Sequence, residues 1–313
     1  MNDTHLIFET NRLKRDFKSV SAVDDLTLSI ASGELFGLVG PDGAGKTTTL
    51  RLLAGLLDVS DGQATILDFD LKSQSEAIKP HIGYMAQQFS LYGELSVLEN
   101  LQFFAELFDV SKQEQSERTQ RLLEFADLTE FTDRRAVHLS GGMQKKLALA
   151  CTLIHQPEIL LLDEPTTGVD PVSRREFWNI LTELHVQGTT IIVSTPYMDE
   201  ADRCSRVGLM YEGRLVECDT PQNIRSKLDG DVIAIQAGDW QKVLETVAGL
   251  DGVREAQTYG EAVNLVVDDG ARRLPEIQDI LMNSKIEYRN IRIAPARMEE
   301  AFISLIRKME SER

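Results

Sequence analysis

Two hydrophobic periods alternate along the chain. Residues 5–36 alternate apolar and polar in short stretches, as at Leu26, Leu28 and Ile30, and predict antiparallel strands. Leu35–Val39 is a short unbroken apolar run that enters a glycine-rich turn, and Lys46–Leu57 then repeats at helical spacing through Leu50, Leu53, Ala54 and Leu57. Residues 95–135 carry periodic apolar positions among many charges. Leu98, Leu101, Phe104, Ala105 and Phe108 form one stripe, Leu122, Leu123, Phe125 and Ala126 another, and together they predict a helical insertion. Strand patterns return at Ile159–Leu162 and Thr190–Ser194, separated by a helix near Arg174–His185. Strands that are apolar throughout and alternate with helices indicate a parallel sheet covered on both faces.

After Asp229-Gly230 the pattern changes. Val232–Ala237, Arg254–Thr258, Ala262–Val267 and Glu287–Ile293 read as strands, and Trp240–Ala248 and Leu274–Met282 as helices. The order β-α-β-β-α-β predicts a small α+β domain of ferredoxin-like type. Pro295 precedes a last amphipathic helix bearing Met298, Ala301, Phe302, Leu305 and Ile306 on one face. The expected division is 1–228 and 229–313, with the boundary near 226–231 and the helical insertion at about 88–138.

Composition narrows the function. The 313 residues are long enough for about two domains. The apolar share of 42% and charged share of 27% fit an ordinary globular protein. No apolar run approaches the roughly 18 residues of a membrane helix, and the first twenty residues are too charged for a signal peptide. The expectation is a cytoplasmic protein whose link to any membrane runs through a partner. Cys151, Cys204 and Cys218 lack metal-ligand spacing and read as reduced thiols. A net charge of −17 argues against nucleic acid as a partner, because a basic face supplies most of that affinity. An acidic chain that binds nucleotide must build a local positive site from backbone N–H groups, a lysine and a metal.

Gly40-Pro41-Asp42-Gly43-Ala44-Gly45-Lys46-Thr47, followed by Thr48, has the form G-x-x-x-x-G-K-[ST] between a predicted strand and a predicted helix. Glycines let successive N–H groups point into one concavity, and the helix N-terminus adds its positive end. In such a loop Lys46 reaches the β- and γ-phosphates of ATP and the Thr47 hydroxyl ligates Mg²⁺. By average residue frequencies the pattern arises by chance in roughly one chain of this length in a hundred, so the strand and helix flanks matter. Ile159-Leu160-Leu161-Leu162-Asp163-Glu164 supplies a second half: a buried strand whose carboxyl end offers Asp163 to Mg²⁺ through water and Glu164 to an attacking water. Alone, that pair would read as two carboxylates in a solvated loop.

Leu139-Ser140-Gly141-Gly142-Met143 resembles the signature sequence of ABC-transporter ATPases, and further motifs follow in that family's order over about residues 5–228. Phe17 matches the aromatic that stacks on adenine. Gln87, in Ile82-Gly83-Tyr84-Met85-Ala86-Gln87, matches the loop glutamine that senses Mg²⁺ and the membrane partner. Gly168-Val169-Asp170 matches the D-loop. The resemblance implies a P-loop NTPase cassette in which Ser140, Gly141 and Gly142 cap the ATP held by a second cassette. It also implies an integral membrane permease as partner and a place on the inner face of the plasma membrane. Met143, the Gln144-Lys145-Lys146-Leu147 run and the added C-terminal domain make the chain similar to the ATPases of bacterial YbhF-type multidrug exporters, whose two cassettes are usually fused; one is present here.

Two positions depart from that pattern. Asp42 stands where the family usually has Asn or Ser, a modest cost where mainly backbone groups contribute. Pro196 follows Ile191-Ile192-Val193-Ser194-Thr195, where the family places its switch histidine, and Tyr197-Met198-Asp199-Glu200-Ala201 comes next. Proline has no side-chain donor and no N–H. By analogy with other lost transition-state donors, hydrolysis falls about 10²–10³-fold unless Thr195, Tyr197 or water substitutes. The chain is therefore expected to pair with a second cassette, either another copy of itself or, as the favoured expectation, a different, intact one. Two other functions compete: a soluble ABC ATPase without a permease, against which the absence of long coiled coils, of a second cassette and of basic linkers weighs, and a mainly regulatory ATP-binding module. Phe89, Leu91, Tyr92 and Glu94 are the expected permease contact, with ordinary surface of the insertion as the alternative.

Overall fold

The structure, a computed structural model, describes residues 5–88 and 91–311. Phe89 thus lies outside the described residues. The chain divides into two units, Met1–Thr220 and Pro221–Arg313.

The first unit holds two sheets. Strands β1 (Leu6–Phe17), β2 (Val20–Ala31), β4 (Asp61–Ile66) and β5 (Phe69–Asp70) form an antiparallel sheet in the order β2-β1-β4-β5. Strands β3 (Leu35–Val39), β6 (Ile82–Met85), β7 (Ile159–Asp163), β8 (Thr190–Thr195), β9 (Arg206–Tyr211) and β10 (Arg214–Asp219) form the second, in the order β10-β9-β3-β8-β7-β6. All its pairings are parallel except β9–β10. Every residue of β3, β7 and β8 is buried, which is why these strands read as unbroken apolar runs. Leu26, Leu28 and Ile30 of the antiparallel sheet pack with Leu50, Leu53, Leu161 and Ile192 in one core, so the helix Lys46–Leu53 is clamped between the sheets.

That helix is shorter than the apolar spacing predicts. Ala54 closes it and Gly55 takes a left-handed φ of 66°, the usual way of ending a helix with the last carbonyls satisfied. Three helices, Val97–Leu107, Lys112–Phe125 and Gly141–Leu153, enclose a second core around Leu101, Leu123 and Leu147. Phe108 does not join it. It lies past the end of its helix, exposed, and stacks on His155 with ring centroids 3.9 Å apart.

The second unit has strands β11 (Asp231–Gln236), β12 (Val253–Tyr259), β13 (Ala262–Val267) and β14 (Asn290–Ala294) in the antiparallel order β12-β13-β11-β14, with helices Trp240–Val247 and Gly270–Asn283 in the two crossovers. This is the ferredoxin-like arrangement, with its own core of Ile233, Ile235, Val263, Leu265, Ile277 and Leu281. The helix Pro221–Ser226, which lies ahead of the expected boundary, belongs to this unit and packs on the terminal helix Met298–Ser311. That terminal helix is fixed by buried Glu300, which accepts from Asn264 at 2.9 Å. Among the described residues no helix is long and apolar enough to cross a membrane.

Candidate functional site

The carboxyl ends of β3, β7 and β8 meet at one place, and the chain delivers its polar residues there. β3 runs into Gly40, whose N–H donates to the Thr195 carbonyl at the end of β8 (3.3 Å). Two glycines in the loop are required by geometry. A Cβ on Gly40 would lie 2.2 Å from the Met210 carbonyl oxygen, and Gly45 combines a φ of 99° with the Ala22 carbonyl oxygen 2.3 Å from where a Cβ would be. Pro41, Asp42 and Gly43 are exposed, Ala44 is buried, and Thr47 and Thr48 are half-buried on the first turn of the helix.

Lys46 is 3% exposed. Its Nζ curls back to donate to the Gly40 and Pro41 carbonyls at 2.8 and 3.0 Å, and lies 3.4 Å from Glu164 Oε1. A buried ammonium needs such partners, since desolvation without them is costly. The Thr47 hydroxyl donates to Asp163 Oδ1 at 2.9 Å, which joins the loop to the end of β7.

Asp163 is fully buried and also accepts from the Ser194 hydroxyl at 2.7 Å. Ser194 was not singled out in the sequence, although a serine within an apolar strand, opposite Asp163 in the β7–β8 register, is its signal. Glu164 has a φ of 45°, a backbone region that a glutamate occupies only when its surroundings hold it there. What holds it is Ser194: the Glu164 N–H donates to the Ser194 carbonyl at 3.1 Å and to its hydroxyl at 3.0 Å. The Glu164 side chain accepts from Gln87 Nε2 at 2.8 Å and from the Thr167 hydroxyl at 3.3 Å. Lys46, Thr47, Gln87, Asp163 and Glu164, scattered in sequence, are thus one connected group.

The family model described as ABC transporter matches residues 23–167. Over 225 residues the chain is 42% identical to the probable multidrug ABC transporter ATP-binding protein YbhF of Escherichia coli, a match covering 72% of this chain and 39% of that protein. The chain therefore spans well under half the length of that relative. It is 33% identical over 298 residues to the daunorubicin resistance ATP-binding protein DrrA2 of Streptomyces coeruleorubidus, covering 94% of this chain and 92% of that one. The chain belongs to the ABC transporter ATP-binding proteins. Among solved structures, the cassette MJ0796, a dimer bound to ADP and Pi, superposes with a TM-score of 0.63 at 26% identity, covering 68% of this chain and 98% of that one. The first unit is accordingly an ABC ATPase domain.

The remaining motif residues of this cassette stand apart from the connected group. Ser140 caps its own helix, accepting from the Met143 N–H at 3.3 Å, with Gly141 exposed and Gly142 buried behind it. Asp170 caps the helix Pro171–Val186 through the Val172 and Ser173 N–H groups, both at 3.0 Å, and the Ser173 hydroxyl, followed by those N–H groups, holds its carboxyl below the usual range. Phe17 is 42% exposed, with the Arg15 guanidinium 4.7 Å from its ring centre. Leu91 is half-buried, while Tyr92 and Glu94 are exposed.

Pro196 directly follows the carbonyl that receives Gly40, beside the start of the Gly40–Thr47 loop. Its neighbours are committed elsewhere. The Thr195 hydroxyl donates to buried Glu200 at 2.5 Å and accepts from the Tyr197 N–H at 3.1 Å. The Tyr197 ring lies under the Arg174 guanidinium, 4.5 Å away. Glu200 is held further by Thr166 and Arg174, each at 2.7 Å. Burial pushes the thiols of Cys151 and Cys204 far above their ordinary range, which leaves them unreactive.

Proposed function

We propose that this chain binds Mg²⁺·ATP at Gly40–Thr48 and couples its binding and hydrolysis to export of a drug-like or other small hydrophobic compound. It does so with a separate membrane permease and a second cassette, on the cytoplasmic face of the membrane. The observation that carries the reading is the convergence of Lys46, Thr47, Gln87, Asp163 and Glu164 at the carboxyl ends of adjacent parallel strands. The exporter assignment draws on relatives named for multidrug transport, daunorubicin resistance and Nod factor export.

The donor set fits magnesium. Thr47, Asp163 and Gln87 offer hard oxygens, and among the described residues no group of three or more His, Cys, Asp or Glu forms a self-sufficient metal cage. An ion that keeps waters and takes its other ligands from phosphate suits such a site. When bound, Mg²⁺ supplies positive charge to the phosphate oxygens. Lys46 and the loop N–H groups hold the β- and γ-phosphates, and Phe17 stacks on the base. Glu164 orients a water towards the γ-phosphorus and takes its proton as the bond to ADP breaks; Gln87 and Thr167 fix that carboxylate. Ser140, Gly141 and Gly142 close over the nucleotide of the partner cassette.

Pro196 removes one donor at this chain's own γ-phosphate, and Thr195 and Tyr197 are already engaged, so the site binds better than it turns over. The test is equilibrium binding of Mg²⁺·ATP beside steady-state phosphate release by the purified chain. Binding lost with Lys46→Ala and weak turnover are expected. Vigorous turnover by the chain alone, abolished by Glu164→Gln, would overturn the weakened site but not the ATP site.

A further inference from the structure

An unbroken run of polar contacts joins the phosphate loop to the signature helix within this one chain. Lys46 Nζ lies 3.4 Å from Glu164 Oε1. Glu164 Oε2 accepts from Gln87 Nε2 at 2.8 Å. The backbone carbonyl of Gln87 accepts from Lys145 Nζ at 2.9 Å, and Lys145 stands near the start of the helix Gly141–Leu153 that Ser140 caps.

Three consecutive polar side chains on that helix have three different anchors. The Gln144 amide donates to the carbonyls of Ala136 and Leu139, in the segment leading into the helix. Lys146 pairs with Glu176 of the helix Pro171–Val186 at 2.7 Å. Lys145 alone of the three reaches towards the nucleotide site. Its contact is with a main-chain carbonyl of the same residue whose amide holds the Glu164 carboxylate, so displacement of that amide and displacement of the carbonyl are linked through one residue.

The other end of the run is set to respond. Lys46 is buried and satisfied here by two carbonyls and Glu164. A phosphate competes with a carboxylate for an ammonium, and any anion that takes over Lys46 leaves Glu164 with Gln87 and Thr167 as its remaining side-chain contacts.

We propose that Lys145 is a positioning residue that carries the occupancy of this chain's own phosphate loop, through Glu164 and Gln87, to its own signature helix. The inference rests on reading Gly40–Thr47 as an ATP site. It gives the chain a route by which nucleotide in its own loop prepares the surface it offers to the partner's nucleotide. Such coupling is real only if both ends bias the same element.

The experiment uses the full chain, with Mg²⁺·AMP-PNP as the probe and backbone hydrogen exchange over residues 140–148 as the readout. Its dissociation constant is measured on the same samples. In the wild type, bound AMP-PNP changes exchange in 140–148 by about fivefold or more, the low end of ordinary coupling between sites. Lys145→Met loses that change with affinity retained, and Lys145→Arg, which keeps a donor, preserves it. Three results overturn the proposal. Lys145→Met responds like the wild type, the wild type binds with no change in 140–148, or Lys145→Met raises exchange equally with and without nucleotide, as a merely structural clasp would. Failure of every variant and the wild type to bind AMP-PNP would instead remove the ATP reading, and this inference with it.

Discussion

On the proposed function, Pro196 separates ATP binding from hydrolysis, two properties that usually travel together. Lys46, proposed to grip phosphates, is folded against the loop, while the position after Thr195 offers no side-chain donor. The neighbouring hydroxyl does not compensate, because Thr195 is bound to Glu200. Pro196→His is therefore expected to raise phosphate release at saturating Mg²⁺·ATP by about 10–100-fold, somewhat less than a fully restored transition-state donor supplies. The dissociation constant for ATP should barely move. An unchanged rate in a folded, ATP-binding variant would mean that Pro196 is not what limits turnover. The gain must also run through Glu164. Adding Glu164→Gln to Pro196→His should reduce the rate by about 10²–10⁴-fold, the usual contribution of a general base, while ATP still binds. A double variant as fast as Pro196→His would assign the base elsewhere. The strained backbone at Glu164 and the two bonds from its N–H to Ser194 point to that carboxylate as the fixed element of the site.

At the scale of the elements, Asn100 is the residue that patterning hid. It is the fourth residue of the helix Val97–Leu107, fully buried, accepting from the Tyr92 N–H at 3.0 Å and donating to the carbonyls of Tyr92, Leu95 and Ser96. It pins the loop containing Tyr92 and Glu94, two of the proposed permease contacts, to the helix that follows. Asn100→Leu keeps the branched outline, at a larger volume, and strands those backbone groups. It should cost about 1–3 kcal/mol, read as a lower urea midpoint, with faster hydrogen exchange at 92–96. Unaltered exchange there would show that the capping box of Ser96 and Glu99 fixes the loop without help. The contrast with the strands explains what was legible. β3, β7 and β8 are buried on both faces, and the apolar runs announced them. The turn after β3 was legible because a glycine that meets a carbonyl at 2.2 Å tolerates no substitute. Asn100, Ser194 and Lys145 were not, since a polar residue in an element looks like surface until its partners arrive from distant parts of the chain. Phe108 erred in the other direction, apolar at the right spacing but beyond the helix end.

The whole molecule presents an imbalance. With a net charge of −17, the proposed ATP site must draw its positive charge from one buried lysine, loop amides and a metal. The site it builds for itself is short of a donor at Pro196, yet the surface it offers a partner is intact: Ser140 caps its helix, Gly141 is exposed, and Gly142 leaves room where a Cβ would strike Ser173 at 2.5 Å. On the proposed function, a chain built this way is expected to be a weak hydrolase at its own loop and a competent complement at another's. Mixed with a cassette that has the intact switch position, it should raise that cassette's turnover well above the sum of the two measured separately. The turnover should be carried by the partner's loop. Lys46→Ala or Glu164→Gln in this chain should then lower the mixed rate only modestly, whereas Ser140→Arg, which blocks the capping surface with a bulky cation, should abolish the stimulation. The measurement is phosphate release from each mixture at equal concentrations, with dimer formation followed by sedimentation. If Glu164→Gln silences the mixture and Ser140→Arg leaves it active, the roles are reversed, and this chain's own site is the one that turns over.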